Sequence, residues 1–266
     1  MKKLIEDCKI ISNKILKNDY RIIVFQTDQI ASMVQPGQFI HVKIANLNDR
    51  ILRRPFSVCD VSNNGELTVV YKIVGEGTKV LSELLPGATC NLMGPLGVPY
   101  SIPEDGEIPV LIAGGYGAAA TKLLASRSSE KGLFLIGARG EQDIILTDIF
   151  ENLQFDVRVA TEDGSAGIKG LVTVLLEDIL KQKDSELSKY KFYACGPRGM
   201  LMAVGKILTE RGLDAELSLD HLMCCGVGAC FACVIKVKAD NADGWRYART
   251  CNEGPVFKAS EVVLDH

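Results

Sequence analysis

The chain has 266 residues, enough for two domains, and is 47% hydrophobic and 24% charged, which excludes a disordered chain, a collagen and a coiled coil. Lys plus Arg number 30 against 33 Asp plus Glu, so the formal net charge is −3 and no nucleic-acid partner is expected. The apolar run Leu4-Ile5 is too short for a signal-peptide core, and the most apolar helical stretch, 171–180, is half a membrane span and carries Glu177 and Asp178, so a cytoplasmic protein without a membrane span is expected.

Residues 1–100 read as all-β. Strands are predicted over 20–26, 38–45, 55–60, 67–74 and 89–93, where Val, Ile, Phe and Tyr cluster. Turn signals separate them at Pro36-Gly37, Asn63-Asn64-Gly65 and Pro86-Gly87. Short strands at this spacing make an antiparallel barrel or sandwich. Within the first domain, Arg53-Arg54-Pro55-Phe56-Ser57 opens a predicted strand. An Arg there can clamp a phosphate, and a Ser hydroxyl can bond a ring nitrogen. By itself the motif reads equally as an edge strand with solvated arginines. Its partner is Val70-Tyr71-Lys72 followed by Gly75-x-Gly77-Thr78, a Gly-rich turn of the kind that turns backbone N–H groups toward a pyrophosphate. Without that partner Tyr71 reads as an aromatic closing a core.

Residues 101–216 change pattern. Strands are predicted over 108–113, 133–137, 155–160 and 191–195, and helices over 118–127, 171–180 and 199–211. Such alternation builds βαβ units and a doubly wound parallel sheet. Gly114-Gly115-Tyr116-Gly117 lies between the first strand and its helix, and Gly115-x-Gly117-x-x-Ala120 fits the dinucleotide fingerprint G-x-G-x-x-A. The acidic ribose-binding residue is missing, since Gly137-Ala138-Arg139 stands at the end of the next strand, so NADH and NADPH are not distinguished. A tight helix–sheet turn without a ligand is the other reading. Cys195-Gly196-Pro197 ends a strand at the edge where such sheets bind ligands. Its thiol could lie beside a nicotinamide, or be a buried Cys before a helix-starting Pro.

Residues 217–266 are rich in Cys and Gly, with one predicted strand, 234–238. Of the nine cysteines, Cys224, Cys225, Cys230 and Cys233 fall close together and Cys251 follows. Cys225-x4-Cys230-x2-Cys233 with a distant Cys251 is the spacing of a plant-type [2Fe–2S] site. Zinc sites pair their ligands as two short knuckles, and only one exists here. Using Cys224 would lengthen the first gap, so it is left out of the ligand set. His41, His221 and His266 show neither metal nor triad spacing.

Together these residues resemble one family. Arg54-Pro55-Phe56-Ser57 is similar to the flavin motif of the ferredoxin–NADP reductase superfamily. Pro36-Gly37-Gln38-Phe39, Gly94-Pro95-Leu96-Gly97 and Cys195-Gly196-Pro197 follow in that superfamily's order. Cys225 to Cys233, with Cys251-Asn252-Glu253-Gly254-Pro255-Val256-Phe257, resembles one branch, the electron-transfer subunits of NAD-dependent (class 1B) dihydroorotate dehydrogenase. The resemblance implies an FAD-binding barrel, an NAD site in the α/β domain, a [2Fe–2S] subdomain and a catalytic partner subunit carrying FMN. The implied assembly is a hetero-oligomer, a heterotetramer, serving pyrimidine biosynthesis. Arg54, Pro55, Phe56 and Ser57 would hold flavin and pyrophosphate, Val70, Tyr71 and Lys72 would line the flavin, and Gly77 and Thr78 would meet the phosphates. Gly114, Gly115, Gly117, Cys195, Gly196 and Pro197 would serve the nucleotide. Tyr116 and Ala118-Ala119 depart from the family's Gly-Gly-Gly-x-Gly and following prolines, and Cys224 from its usual Ala.

Electron counting then gives the mechanism expected. A nicotinamide carries a hydride, a [2Fe–2S] cluster takes single electrons, and a flavin exchanges with both, so the protein's task is placement and tuning. Electrons would run from NAD(P)H through FAD and cluster to the partner, or the reverse during dihydroorotate oxidation, with no catalytic acid or base. Two other readings stand beside this one: a paralogous redox wire that makes little or no use of NAD(H), and a non-redox adaptor stapled by zinc.

Overall fold

A computed structural model describes residues 2–45, 47, 51–182, 184–219 and 222–264. His221 and His266 lie outside the described residues. The chain opens on an antiparallel barrel. Its strands are β1 (Leu4–Lys17), β2 (Tyr20–Gln26), β3 (Phe39–Lys43), β4 (Arg54–Ser57), β5 (Asp60–Val61), β6 (Glu66–Lys72) and β7 (Thr89–Leu96), with the short helices α1 (Ile30–Met33) and α2 (Glu76–Glu83) between them. The order across the sheet is β4-β3-β7-β1-β2-β6-β5, and Phe56 of β4 meets Tyr71 of β6 edge-on at 5.8 Å, which curls the sheet around one core. Ile10, Ile23, Phe25, Ile40, Val42, Leu67, Val69 and Leu92 fill that core.

Sequence patterning misses β1, the strand between β7 and β2. Its residues include Glu6, Asp7, Lys9, Lys14 and Lys17, and its register shifts between Ile10 and Ser12 and again between Ile15 and Lys17. Each bulge adds one residue to one strand, so the period of two that marks a strand is lost halfway along. The single strand predicted over 55–60 is two strands, β4 and β5, which pair with β3 and β6 respectively.

The second domain is doubly wound, as its alternation predicts. Its elements are β8 (Ile108–Gly114), α3 (Gly117–Arg127), β9 (Leu133–Ala138), α4 (Thr147–Asn152), β10 (Asp156–Thr161), β11 (Ile168–Lys169), α5 (Val172–Gln182), β12 (Tyr190–Cys195), α6 (Arg198–Thr209) and β13 (Ala215–Ser218). Val110, Ile112, Leu133 and Leu135 point to α5 and α6, while Leu111, Ala113, Phe134 and Ile136 point to α3 and α4. Strands covered on both faces in this way appear as unbroken apolar runs. The α3 helix carries Ala118, Ala119, Ala120 and Ala125, all buried, because it is sandwiched between the sheet and Tyr20, Cys59 and Val70 of the barrel.

The C-terminal segment contains the hairpin β14 (Val234–Lys238) and β15 (Trp245–Arg249), then β16 (Val256–Lys258). The sheet order is β11-β10-β9-β8-β12-β13-β16, with β16 antiparallel to β13, so the segment returns a strand to the nucleotide-type domain. The division expected at 216/217 falls inside β13. No helix among the described residues is long and apolar enough to cross a membrane.

Candidate functional site

The barrel wall has a gap between β4 and β6. Val58 donates its backbone N–H to the carbonyl of Gln38 before β3, and Cys59 donates to Thr68 of β6. Backbone groups alternate sides along a strand. The edges of Pro55 and Ser57 therefore face away from β3, and those of Val70 and Lys72 face away from β2. A proline fits β4 here because its missing N–H falls on the unpaired edge. A cleft of about 230 Å³ opens at this gap, lined by Arg54, Pro55, Phe56, Ser57, Val70, Tyr71, Lys72, Thr78, Tyr116, Gly117 and Cys195. The residues selected from three separate stretches of sequence thus meet at one place.

Within the cleft Arg54 lies against the first turn of α2, its Nε 3.1 Å from where a Cβ on Gly77 would stand. The Thr78 hydroxyl accepts the N–H groups of Val74 at 2.9 Å and Gly75 at 3.2 Å, which fixes the turn before α2. A guanidinium beside a helix N-terminus is an arrangement suited to phosphate oxygens. Arg53 points elsewhere: its Nη1 donates to the Asn91 carbonyl at 2.7 Å and its Nη2 to the Asn91 side chain. Tyr71 turns its ring inward, where its hydroxyl donates to Asn13 at 3.2 Å.

A second cleft of about 500 Å³ adjoins the first and shares Lys72 and Tyr116 with it. It lies at the C-terminal ends of β8 and β12, where the strand order reverses and open α/β sheets bind ligands. Tyr116, half exposed at the start of α3, stands between the two clefts. Gly115 and Arg139 line the second one, along with Pro197 and Glu162.

The other glycines of this motif have packing roles. A Cβ on Gly117 would strike the Cys195 carbonyl, and one on Gly114 would stand 2.6 Å from Pro197. Glycine at 117 lets α3 start directly against the end of β12. Gly117→Ala is therefore expected to destabilise the protein by about 1–3 kcal/mol, the usual cost of overpacking. A denaturant titration checks this, and an unchanged midpoint would contradict it.

The two domains are joined at the mouth of these clefts by groups that patterning does not reveal. Lys72 pairs with Asp143 at 2.6 Å, and the Tyr20 hydroxyl donates to the same carboxylate at 2.8 Å. Burial opposes ionisation of Asp143, but the hydrogen bonds from Lys72 and Tyr20 outweigh it and hold the carboxyl below its usual range. Lys17 donates to the carbonyls of Glu141 at 2.7 Å and Ile144 at 3.1 Å. Lys17, Tyr20 and Asp143 lie in stretches with no sequence signal for such a contact, and only the docking of the domains brings them together.

The thiols of the C-terminal segment lie near one another. Cys225 interacts with Cys230, Cys251 with Cys233, and Cys225 also bears on Cys251. Two thiols per iron is the donor set a binuclear cluster needs. Partial burial raises the Cys225 thiol, but N–H groups of Val227, Cys230 and Ala229 outweigh it and bring it down to about 6. Burial and the neighbouring Cys233 push Cys251 up to about 12. A loop that points N–H groups at sulfur fits a sulfur-rich anionic group. Gly226 and Gly228 have φ of +70° and +84°, which allows the loop to turn tightly over the thiols. No three His, Cys, Asp or Glu side chains among the described residues form a single-ion site. Arg249 ties the loop down, donating to the Gly228 carbonyl at 2.9 Å and to Glu253 at 3.2 Å. Arg249 and Glu253 gave no signal in the spacing of cysteines. Neither did His41, which lies in the middle of an apolar strand.

Residues 220–263 match the family described as the iron-sulfur cluster binding domain of dihydroorotate dehydrogenase B, and residues 7–100 match an oxidoreductase FAD-binding domain. The chain is 34% identical over 263 residues to a dihydroorotate dehydrogenase B (NAD(+)) electron transfer subunit from Desulforamulus reducens, covering 97% of this chain and 98% of that one. It is 37% identical over 267 residues to the corresponding subunit from Geobacillus sp. strain WCH70, again covering 97% and 98%. Among solved structures, an NADH-dependent reduced ferredoxin-NADP oxidoreductase superposes with a TM-score of 0.82 at 26% identity, over 97% of this chain and 90% of that one. A ferredoxin reductase of carbazole 1,9a-dioxygenase shares the fold, with a TM-score of 0.69 at 21% identity over 80% and 67% of the two chains.

Proposed function

Because this chain belongs to the family of dihydroorotate dehydrogenase B (NAD(+)) electron transfer subunits, we propose that it carries electrons between NAD(H) and a catalytic dihydroorotate dehydrogenase partner through FAD and a [2Fe–2S] centre. A flavin supplies the exchange between two-electron hydride chemistry and single-electron chemistry at a cluster. Arg54, with the first turn of α2 at Gly77 and Thr78, binds the pyrophosphate. The edges of Ser57, Val70 and Lys72 hold the ring system in the gap between β4 and β6. Cys225, Cys230, Cys233 and Cys251 ligate the iron. Gly114, Gly115, Gly117, Cys195, Gly196 and Pro197 shape the floor on which the nicotinamide reaches the flavin. The protein works in the cytoplasm as part of a hetero-oligomer with the FMN-bearing subunit.

One observation carries this reading. Pro55, Phe56 and Ser57 line the flavin cleft and also a small cavity formed with Phe39, Met223 and Pro255, beside the cysteine segment. The wall between the flavin place and the thiols is thus built from β4 and β3. Two bound groups on either side of β4 and β3 would be placed for electron transfer between them. The match to an iron-sulfur domain favours this arrangement over a zinc staple.

The test is a visible spectrum of the purified protein, repeated after anaerobic addition of NADH, and after addition of dihydroorotate with and without the partner. Flavin and cluster bands should both appear and bleach with NADH. Dihydroorotate should bleach them only when the partner is present. Bleaching by NADH but never by dihydroorotate would mean that the chain serves a different oxidoreductase.

Tyr116 gives a sharper prediction. Its ring stands between the nucleotide cleft and the flavin cleft, so a nicotinamide must pass it to reach the flavin. Tyr116→Gly is expected to speed anaerobic flavin reduction by NADH by about tenfold, equivalent to ~1.4 kcal/mol of barrier. Stopped-flow bleaching with NADH and NADPH measures this. Fast, saturable reduction of the wild type, unaltered by the substitution, would show that the ring swings clear.

A further inference from the structure

Phe39 and His41 lie two residues apart on β3, so both side chains leave the strand on the face opposite Ile40 and Val42, with their rings 5.6 Å apart. The cysteine segment covers that face. Phe39 packs with Met223, Cys233 and Cys251, and a Cβ on Gly226 would stand 2.7–2.9 Å from three atoms of the His41 ring. His41 is fully buried, and neither of its ring nitrogens has a hydrogen-bond partner among the described residues. A buried polar group without a partner is destabilising, and an apolar side chain of similar size would fill the same space without that cost. An imidazole has at least one N–H to give in either protonation state. Gly226, the residue set against the ring, directly follows Cys225 in the chain, and Phe39 on the same face packs with Cys233 and Cys251, so the ring faces the segment that carries the four cysteines.

We infer that His41 is a positioning residue for the iron–sulfur centre, donating its ring N–H to a sulfur of that centre and holding it at a higher reduction potential than an apolar wall would. The inference rests on the reading that the four cysteines ligate a [2Fe–2S] cluster. The physical reason is charge. Reduction adds an electron to a sulfur-rich anion, and a hydrogen-bond donor stabilises the more negative state more strongly. The N–H also fixes the distance between β3 and the ligand loop, which only glycine at 226 permits.

The experiment compares two variants of the full, loaded protein. His41→Leu fills the space without a donor, and His41→Gln keeps an N–H. In a redox titration His41→Leu should shift the one-electron equilibrium of the cluster about tenfold toward the oxidised form, a potential lower by about 59 mV. His41→Gln should stay near the wild type. A second measurement needs no stable variant. The chain has 3 histidines, so 15N-histidine labelling gives few candidates for a coupling to the reduced cluster. Electron–nuclear double resonance of the wild type should show one histidine 15N coupling, and His41→Gln should lose it. A loaded His41→Leu protein with unchanged potential, or a wild-type cluster signal without histidine coupling, would overturn the inference alone. A protein with neither iron nor cluster signal would overturn the cluster reading and the inference together.

Discussion

Replacing Cys251 by serine is expected to strip nearly all iron and labile sulfide from the protein and to loosen its C-terminal segment, while Cys224→Ser leaves both in place. Cys251 is fully buried, paired with Cys233, and packed with Phe39, Leu96 and Met223. The next residue back, Thr250, donates its backbone N–H to the Cys233 carbonyl at 2.9 Å, so the two cysteines of this pair are held as one unit. A serine hydroxyl is a poor substitute for a thiolate at iron, and one absent ligand leaves an iron exposed to solvent. The stretch from Met223 to Cys233 contains no helix or strand and buries chiefly Met223 and Cys233, so its order depends on the bound group, whereas β16 and the hairpin are held by the main core. Iron and sulfide analysis, with limited proteolysis after residue 219, reads both effects. Loss of iron in Cys224→Ser together with retention in Cys251→Ser would reverse the ligand assignment.

Arg54→Ala should weaken FAD binding by roughly 1.5–3 kcal/mol, the worth of a charge-assisted hydrogen bond, or about 10- to 150-fold in Kd. The basis is its place against Gly77 and the first turn of α2. The neighbouring Arg53→Ala is the control, since that side chain is committed to Asn91 on β7. It should leave FAD affinity unchanged. Ultrafiltration or fluorescence titration of the flavin on both variants measures the difference. Equal losses in the two variants would mean that the effect comes from the barrel and not from a phosphate contact.

The candidate residues could be picked out of the sequence because their signals are local. C-x4-C-x2-C needs only a short loop, and its small intervening residues show in the sequence. The alternation of apolar runs with helical segments after residue 108 marks a parallel sheet, because strands covered on both faces lose their polar face. The strand β1 was not legible, because its bulges break the period of two and its charged residues face outward or cap other segments. Glu6, for example, accepts the N–H groups of Asp28, Gln29 and Ile30.

By itself, then, the sequence determined the kinds of group this protein can hold: four thiols at cluster spacing, an arginine beside a Gly-rich turn, and a glycine-rich turn after a buried strand. Tertiary structure alone decided what those groups face. Gly117 proved to be a packing glycine because α3 begins against β12. Arg54, not Arg53, turns to the cleft because Arg53, just before β4, is taken up by Asn91 on β7. His41 became a buried, unpartnered donor because the cysteine segment, nearly two hundred residues away in the chain, folds back over β3. Contacts between such distant residues come from how whole domains dock, and no local pattern in the chain records them.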